Sequence, residues 1–221
     1  MKKGRSRQCT VANARDASIR AMPPEPPPSP APLDIHVDPL PYEARLELRP
    51  LAQVDLVVIH CTELPDLATA REYGERMLYE PRADGGGGTG NSGHFYIDRD
   101  GSVHRWVALE RVAHHTRGYN ARSIGIELVN TGRYPDWLDS RRQAMDEPYT
   151  EAQTDALAAL LLQLLAEVPS LRLIAGHEDL DTTLVEASDD PGVRVSRKRD
   201  PGPLFPWSRV LATVPLGRLR P

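Results

Sequence analysis

The sequence predicts a single α/β domain, with a mixed central β-sheet and helices packed on its faces. Three observations carry that expectation. The run "VDLVVIH" at residues 54–60 is short, continuous and valine-rich, which suits a strand covered on both faces. "HFYIDRDGSVHRWV" places two β-rich runs around an Asp-Gly turn, a strong hairpin signal. "YTEAQTDALAALLLQLLAEVP" is an amphipathic helix followed at once by a further apolar run. Strands that alternate with helices, with one hairpin among them, need a mixed sheet with helices on its faces.

The elements follow in order. Residues 1–44 read as a disordered basic and Pro-rich N-terminal tail. "MPPEPPPSPAPLD" lacks apolar periodicity and should form an extended spacer, whether as a tether or with no role of its own. The folded domain is expected over 45–221. After the strand at 54–60, residues 66–80 predict a helix with Asp66 as N-cap. "RADGGGGTGNSG" is a loop, and no Gly-Lys-Ser/Thr follows it to make a phosphate loop. The hairpin comes next, then the strand "SIGIEL" at 123–128. In the long helix, Thr150 and Gln153 make a capping box. Leu157, Leu160, Leu161, Leu164, Leu165 and Val168 share one face, and Pro169 stops it. "LRLIAGH" at 171–177 is the last predicted strand.

Composition narrows the function. A chain of 221 residues allows one ordinary domain plus a tail, and a formal charge of −4 gives no reason to expect a nucleic-acid partner. No apolar run approaches the ~18 residues of a membrane helix. Cys9 and Cys61 cannot build a disulfide framework, and no CxxC pair exists, so a metal site must use histidines and carboxylates. The start "MKKGRSRQCT" resembles the charged part of a secretory leader. The apolar core that should follow is interrupted by Arg15, Asp16 and Arg20. A cytoplasmic protein is expected as the sequence is written, with a periplasmic or cell-envelope location as the alternative if the start is misassigned.

Two histidines, His60 and His177, fall at the C-terminal ends of predicted buried strands, where open α/β sheets build their sites. A third candidate, Asp200, is fixed between a basic run and a Pro-Gly-Pro turn in "RKRDPGPLFPW". Two histidines and one carboxylate form a donor set that leaves a position for water on zinc. A pair of ordinary hydrogen-bonded histidines at strand exits remains the alternative. The protease motif HExxH is absent, because "HEDLD" has Asp181 in place of the second histidine.

Five segments occur in order: "VVIHCTE", "GHFYIDRDGSVHRWV", "HHTRGYNARSIGIELVN", "AGHEDL" and "RKRDPGPLFPW". Together they resemble the type 2 N-acetylmuramoyl-L-alanine amidases. That family includes the amidase-type phage lysozymes, the peptidoglycan recognition proteins and the AmpD enzymes. The resemblance runs from about residue 54 to 208, and "GIEL" and "RKRDPGP" are most similar to the AmpD branch.

That resemblance implies the peptidoglycan recognition protein-like amidase fold, with the metal site at strand ends. It implies one zinc ion per chain, with His60, His177 and Asp200 as ligands. Glu127 would handle the proton of the attacking water, and Lys198 would stabilise the oxyanion. Residue types and spacing fit these roles: Lys198 and Asp200 stand at i and i+2 and face one side of an extended segment. The reaction implied is hydrolysis of the amide between the lactyl group of N-acetylmuramic acid and L-alanine. It would take place in peptidoglycan or muropeptides, during bacterial cell-wall degradation or recycling. A non-catalytic peptidoglycan-sensing module is the alternative, though such modules typically lose a zinc ligand.

His115 is expected to contact substrate, with a surface histidine as the bland reading. Asn120 contacts substrate or shapes the turn before the strand. His94 and His104 read as sheet residues, His114 as an incidental neighbour, Cys61 as core, and Glu178 as structural or exposed. The 22 residues 178–199 between His177 and Asp200 are long for the family and could wall the cleft. The partner implied is peptidoglycan or a muropeptide; a nucleic acid is not expected, and the chain should be a monomer.

Overall fold

In this computed structural model the chain divides into two units, Met1–Ala31 and Pro32–Pro221. The structure describes Met1, residues 33–83 and residues 86–221. The basic and most proline-dense part of the expected tail therefore lies outside the described residues. All the described strands and helices belong to the second unit.

The elements in chain order are β1 (Ile35–Val37), β2 (Leu56–Cys61), α1 (Leu67–Glu75), β3 (Phe95–Ile97), β4 (Val103–Arg105), β5 (Ser123–Leu128) and α2 (Glu151–Glu167). They continue with β6 (Leu173–Gly176), the single turn α3 (His177–Leu180), β7 (Leu184–Glu186), β8 (Arg194–Ser196), α4 (Trp207–Thr213) and β9 (Gly217–Arg218). Seven strands form one sheet in the order β1-β4-β3-β5-β2-β6-β9, and β7 and β8 form a separate hairpin. The expected mixed sheet is present: only the β3–β4 pair in the large sheet is antiparallel.

Strand β2 lies between β5 and β6, parallel to both, and every one of its residues is buried. Its side chains alternate between faces. Val57 and Ile59 join Ile124, Ile126 and the α2 leucines in the main core, whereas Leu56, Val58 and Ala175 form a cluster of their own. Helix α2 begins at its expected capping box. The Gln153 N–H donates to Thr150 Oγ1 at 3.0 Å, and the Thr150 N–H donates to Gln153 Oε1 at 3.1 Å. Leu157, Leu160, Leu161 and Leu164 are buried, as their spacing requires. The hairpin turns at Gly101, whose φ of +87° is costly for any residue with a Cβ. Among the described residues, no helix is long and apolar enough to cross a membrane.

Two expectations need correction, and some elements carry no clear sequence signal. The boundary expected at residue 45 lies too late: β1 pairs with β4, and Leu40 and Tyr42 are buried with Trp106. The Tyr42 hydroxyl donates to the Gly74 carbonyl at 2.7 Å. Pro39 and Pro41 interrupt any periodicity here, yet Leu40 and Tyr42 beside them still plug the core. Helix α1 starts at Asp66 as expected but ends at Glu75, not 80. Arg76 turns extended, and the N–H groups of Leu78 and Tyr79 both donate to the Thr89 carbonyl at 2.9 Å. Finally, α4 and β9 carry no sequence signal strong enough to predict.

The first correction yields a test. A protein lacking residues 2–31 keeps β1, Leu40 and Tyr42 and serves as the reference. Removing 2–44 should destabilise strongly, because buried Leu40 and Tyr42 are lost, and large core truncations cost about 2–5 kcal/mol each. Thermal melts of the two truncated proteins check this, and equal melting points would contradict the placement of β1.

Candidate active site

Because β2, β5 and β6 run parallel, their C-terminal ends open on one edge of the sheet, where such sheets place their sites. His60 sits one residue before the end of β2 and is in register with Glu127 of β5. His177 follows β6 directly and opens α3. Asp200 arrives from the segment after β8, which the Glu178 N–H ties back by donating to the Asp200 carbonyl at 2.9 Å.

These three side chains converge. His60 Nδ1 lies 2.8 Å and His177 Nδ1 3.1 Å from Asp200 Oδ2, and the two imidazole centroids are 4.6 Å apart. All three residues are about 2% exposed. One ligand atom from each lies within 4.8 Å of the others, so the group could hold a metal ion. His177 Nε2 and Asp200 Oδ1 are buried without a hydrogen-bond partner. Leaving a polar atom so costs about 1–3 kcal/mol. The lone pairs crowded at His60 Nδ1, His177 Nδ1 and Asp200 Oδ2 fit a bound cation, which would take them up. Burial pushes the His60 imidazole down to about 4, with His177 and Lys198 acting the same way, so the ring is neutral near pH 7. Burial works to raise the Asp200 carboxyl, but the His177 and His60 imidazoles and Lys198 hold it well below the usual carboxylate range.

Glu127 Oε1 stands 3.9 Å from His60 Nδ1. Burial, helped by Asp200 and opposed by Lys198, raises its carboxyl to about 8. A carboxyl so placed can exchange a proton near neutral pH. Gly93 makes its room, since a Cβ there would lie 2.9 Å from Glu127 Cγ. Lys198 lines the same cleft, and its cation acts through space on Glu127, His60 and Asp200.

The segment carrying Lys198 is held by two residues to which the sequence assigns no role, although Glu63 closes the segment "VVIHCTE". Arg133 and Glu63 form a buried two-point ion pair at 2.6 and 2.9 Å. Arg133 also donates to the carbonyls of Ser196 and Arg197, immediately before Lys198, at 3.0 and 3.4 Å. Glu63 takes a left-handed backbone, φ +50°, just past β2. The long segment 178–199 ends in this wall: Arg197 pairs with Asp181 and faces the cleft beside Lys198.

The cleft has a volume of about 740 Å³, and all seven residues singled out from the sequence line it. Its outer walls include Tyr73, Trp137, Tyr79 and Arg117. His115 touches His60, with Nδ1 at 3.0 Å from His60 Nε2. Asn120 Oδ1 accepts the backbone N–H groups of His115 and Thr116 at 3.1 and 2.7 Å, so its side chain shapes that turn. His94 lies immediately before β3, fully buried. Its Nδ1 accepts the Gly125 N–H at 3.0 Å, and burial and the Arg49 cation press it down to about 3. His104 stacks on His36 across β4 and β1, away from the three converging groups. His114 is in the cleft after all, edge-on to Tyr79 at 5.3 Å. Cys61 is buried as expected.

A family model described as N-acetylmuramoyl-L-alanine amidase matches residues 50–203. The endolysin of Escherichia phage T7 is 30% identical over 135 residues, covering 61% of this chain and 82% of the endolysin. The 1,6-anhydro-N-acetylmuramyl-L-alanine amidase AmpD of Salmonella typhimurium (strain SL1344) is 34% identical over 134 residues, 57% of this chain and 58% of AmpD. The solved structure of N-acetylmuramoyl-L-alanine amidase LysC from Clostridium intestinale URNW aligns with a TM-score of 0.57 at 22% identity. It covers 83% of this chain and 99% of LysC and shares the fold.

Proposed function

The chain belongs to the N-acetylmuramoyl-L-alanine amidase family, and on that premise we propose that it is a zinc-dependent hydrolase of muropeptides. The bond cut joins the lactyl group of N-acetylmuramic acid to L-alanine, in peptidoglycan or in soluble fragments of it. One observation carries this reading: three buried donors converge in a cleft with Glu127 beside them. His60, His177 and Asp200 are the ligands, one ion per chain, because two imidazoles and a carboxylate are a donor set that zinc accepts with a position to spare. When bound, zinc polarises the scissile carbonyl and lowers the pKa of water beside it to about 7.

The chain's own residues supply the rest. Glu127 takes the proton of the attacking water and returns it to the departing alanine nitrogen. Lys198 lines the cleft, and its ammonium stabilises the negative charge that grows on the carbonyl oxygen. His60, His177 and Asp200 turn their donor atoms to the ion site, and Glu127 is the carboxyl that stands beside them in the cleft. The relatives named an endolysin and an anhydro-muropeptide amidase suggest the class of substrate, which is a muropeptide stem joined to its sugar.

The reading is tested by metal removal. Dialysis against a chelator should abolish turnover of a defined muropeptide, and added zinc should restore it at about one equivalent per chain. Undiminished turnover in metal-stripped protein would overturn the zinc reading.

A further inference from the structure

His60 turns one ring nitrogen toward Asp200 and the other toward His115, and the protons along this line of groups are assigned by elimination. The Tyr119 carbonyl can only accept, and it receives the Ser123 hydroxyl at 2.8 Å. Ser123 has a single proton to give, so toward His115 Nε2, 3.2 Å away, its oxygen can only accept. His115 Nε2 therefore carries the ring proton, and His115 Nδ1 holds a lone pair. That lone pair faces His60 Nε2 at 3.0 Å, which must then be the protonated nitrogen of His60. The Thr116 hydroxyl lies 3.0 Å from His115 Nδ1 and 3.3 Å from His60 Nε2. It can donate to the first and accept from the second, which leaves the assignment unchanged. The outcome is a lone pair on His60 Nδ1, aimed at the place where Asp200 Oδ2 and His177 Nδ1 meet.

An independent feature holds the His115 ring in that line. A Cβ on Gly125 would lie 2.6–2.8 Å from three atoms of the ring, so β5 leaves out a side chain where the ring sits. The backbone on either side is fixed by Asn120, whose Oδ1 accepts from two successive N–H groups.

We propose that His115, seated on Gly125 and oriented by Ser123, is a positioning residue that locks the proton of His60 on Nε2 and reserves Nδ1 for the cation. The proposal rests on the reading of His60 as a zinc ligand. A neutral imidazole can carry its proton on either nitrogen, and only one of the two forms can bind through Nδ1. Removing the hydrogen-bond partner that settles the choice typically lowers metal affinity by about 10–100-fold.

The experiment uses the full chain. Long-range ¹H–¹⁵N spectra of the zinc-loaded wild type should show His60 and His115 each protonated on Nε2. Competition with a chelator should show zinc bound about 10–100-fold more weakly by His115→Ala. His115→Asn, whose Oδ1 stands close to the place of Nδ1 and can accept from His60, should bind zinc close to wild type. Rescue by His115→Asn distinguishes a lost hydrogen bond from general damage to the fold, and the wild-type spectra need no variant at all. A His60 or His115 ring protonated on Nδ1 overturns the proposal. So does a His115→Ala protein that binds zinc as tightly as wild type and differs only in a raised KM, the mark of a substrate contact. If the wild type binds no zinc, the ligand reading fails and this proposal falls with it. If zinc binds but the spectra disagree, only this proposal falls.

Discussion

The His177→Ala protein should hold almost no zinc and turn over no muropeptide. His177 is a buried donor whose Nδ1 lies 3.1 Å from Asp200 Oδ2, and its side chain has no other hydrogen-bond partner, since its Nε2 is orphaned. Its Nδ1 therefore points at the same atom as His60 Nδ1, where a cation would sit. The loss of affinity should exceed the roughly 10–100-fold caused by removing only a ligand's hydrogen-bond partner. Metal analysis and turnover on the same sample, with circular dichroism to verify the fold, check this. Full zinc occupancy in that protein would remove His177 from the ligand set.

Glu127→Gln separates chemistry from metal binding. The amide keeps the size of the side chain, and the room that Gly93 leaves accommodates it. Zinc content should therefore stay near that of wild type, while kcat falls by about 10²–10⁴, the usual worth of a positioned general base. Lys198→Ala should lower kcat by roughly 10²–10³ through lost stabilisation of the oxyanion. Lys198 is also the one lysine beyond residue 3, so an amine-directed acetylating reagent should reproduce that loss in the unmodified sequence. A Glu127→Gln protein loaded with zinc and cleaving at the wild-type rate would take Glu127 out of the mechanism.

Much of this architecture is legible in the sequence because its signals are local. β2 and β5 are short apolar runs with clear bounds, and α2 announces itself by a capping box and a leucine face. His60 and His177 are visible as sites because each follows a buried run whose C-terminal end must open on the sheet edge. The features hidden from the sequence depend on partners distant in the chain. β1 is three residues long and is a strand only because β4 offers it an edge. Helix α1 stops early because Thr89 captures the backbone that would have continued it. The Glu63–Arg133 pair joins residues 70 apart, and no local pattern tells that the glutamate closing "VVIHCTE" meets that arginine. His115 stands out in the sequence, but as a substrate contact, because no sequence pattern tells that Gly125 lies under its ring and Ser123 beside it.

The central claim is that this cleft cuts the lactyl–alanine amide. Its most direct test is mass spectrometry of a defined N-acetylmuramoyl-peptide after incubation with the zinc-loaded protein. The account predicts two products: a sugar with a free lactyl carboxyl group and an intact stem peptide with a free amino group on L-alanine. Substrate that is bound but recovered uncleaved, or cleavage between two amino acids of the stem, would contradict it.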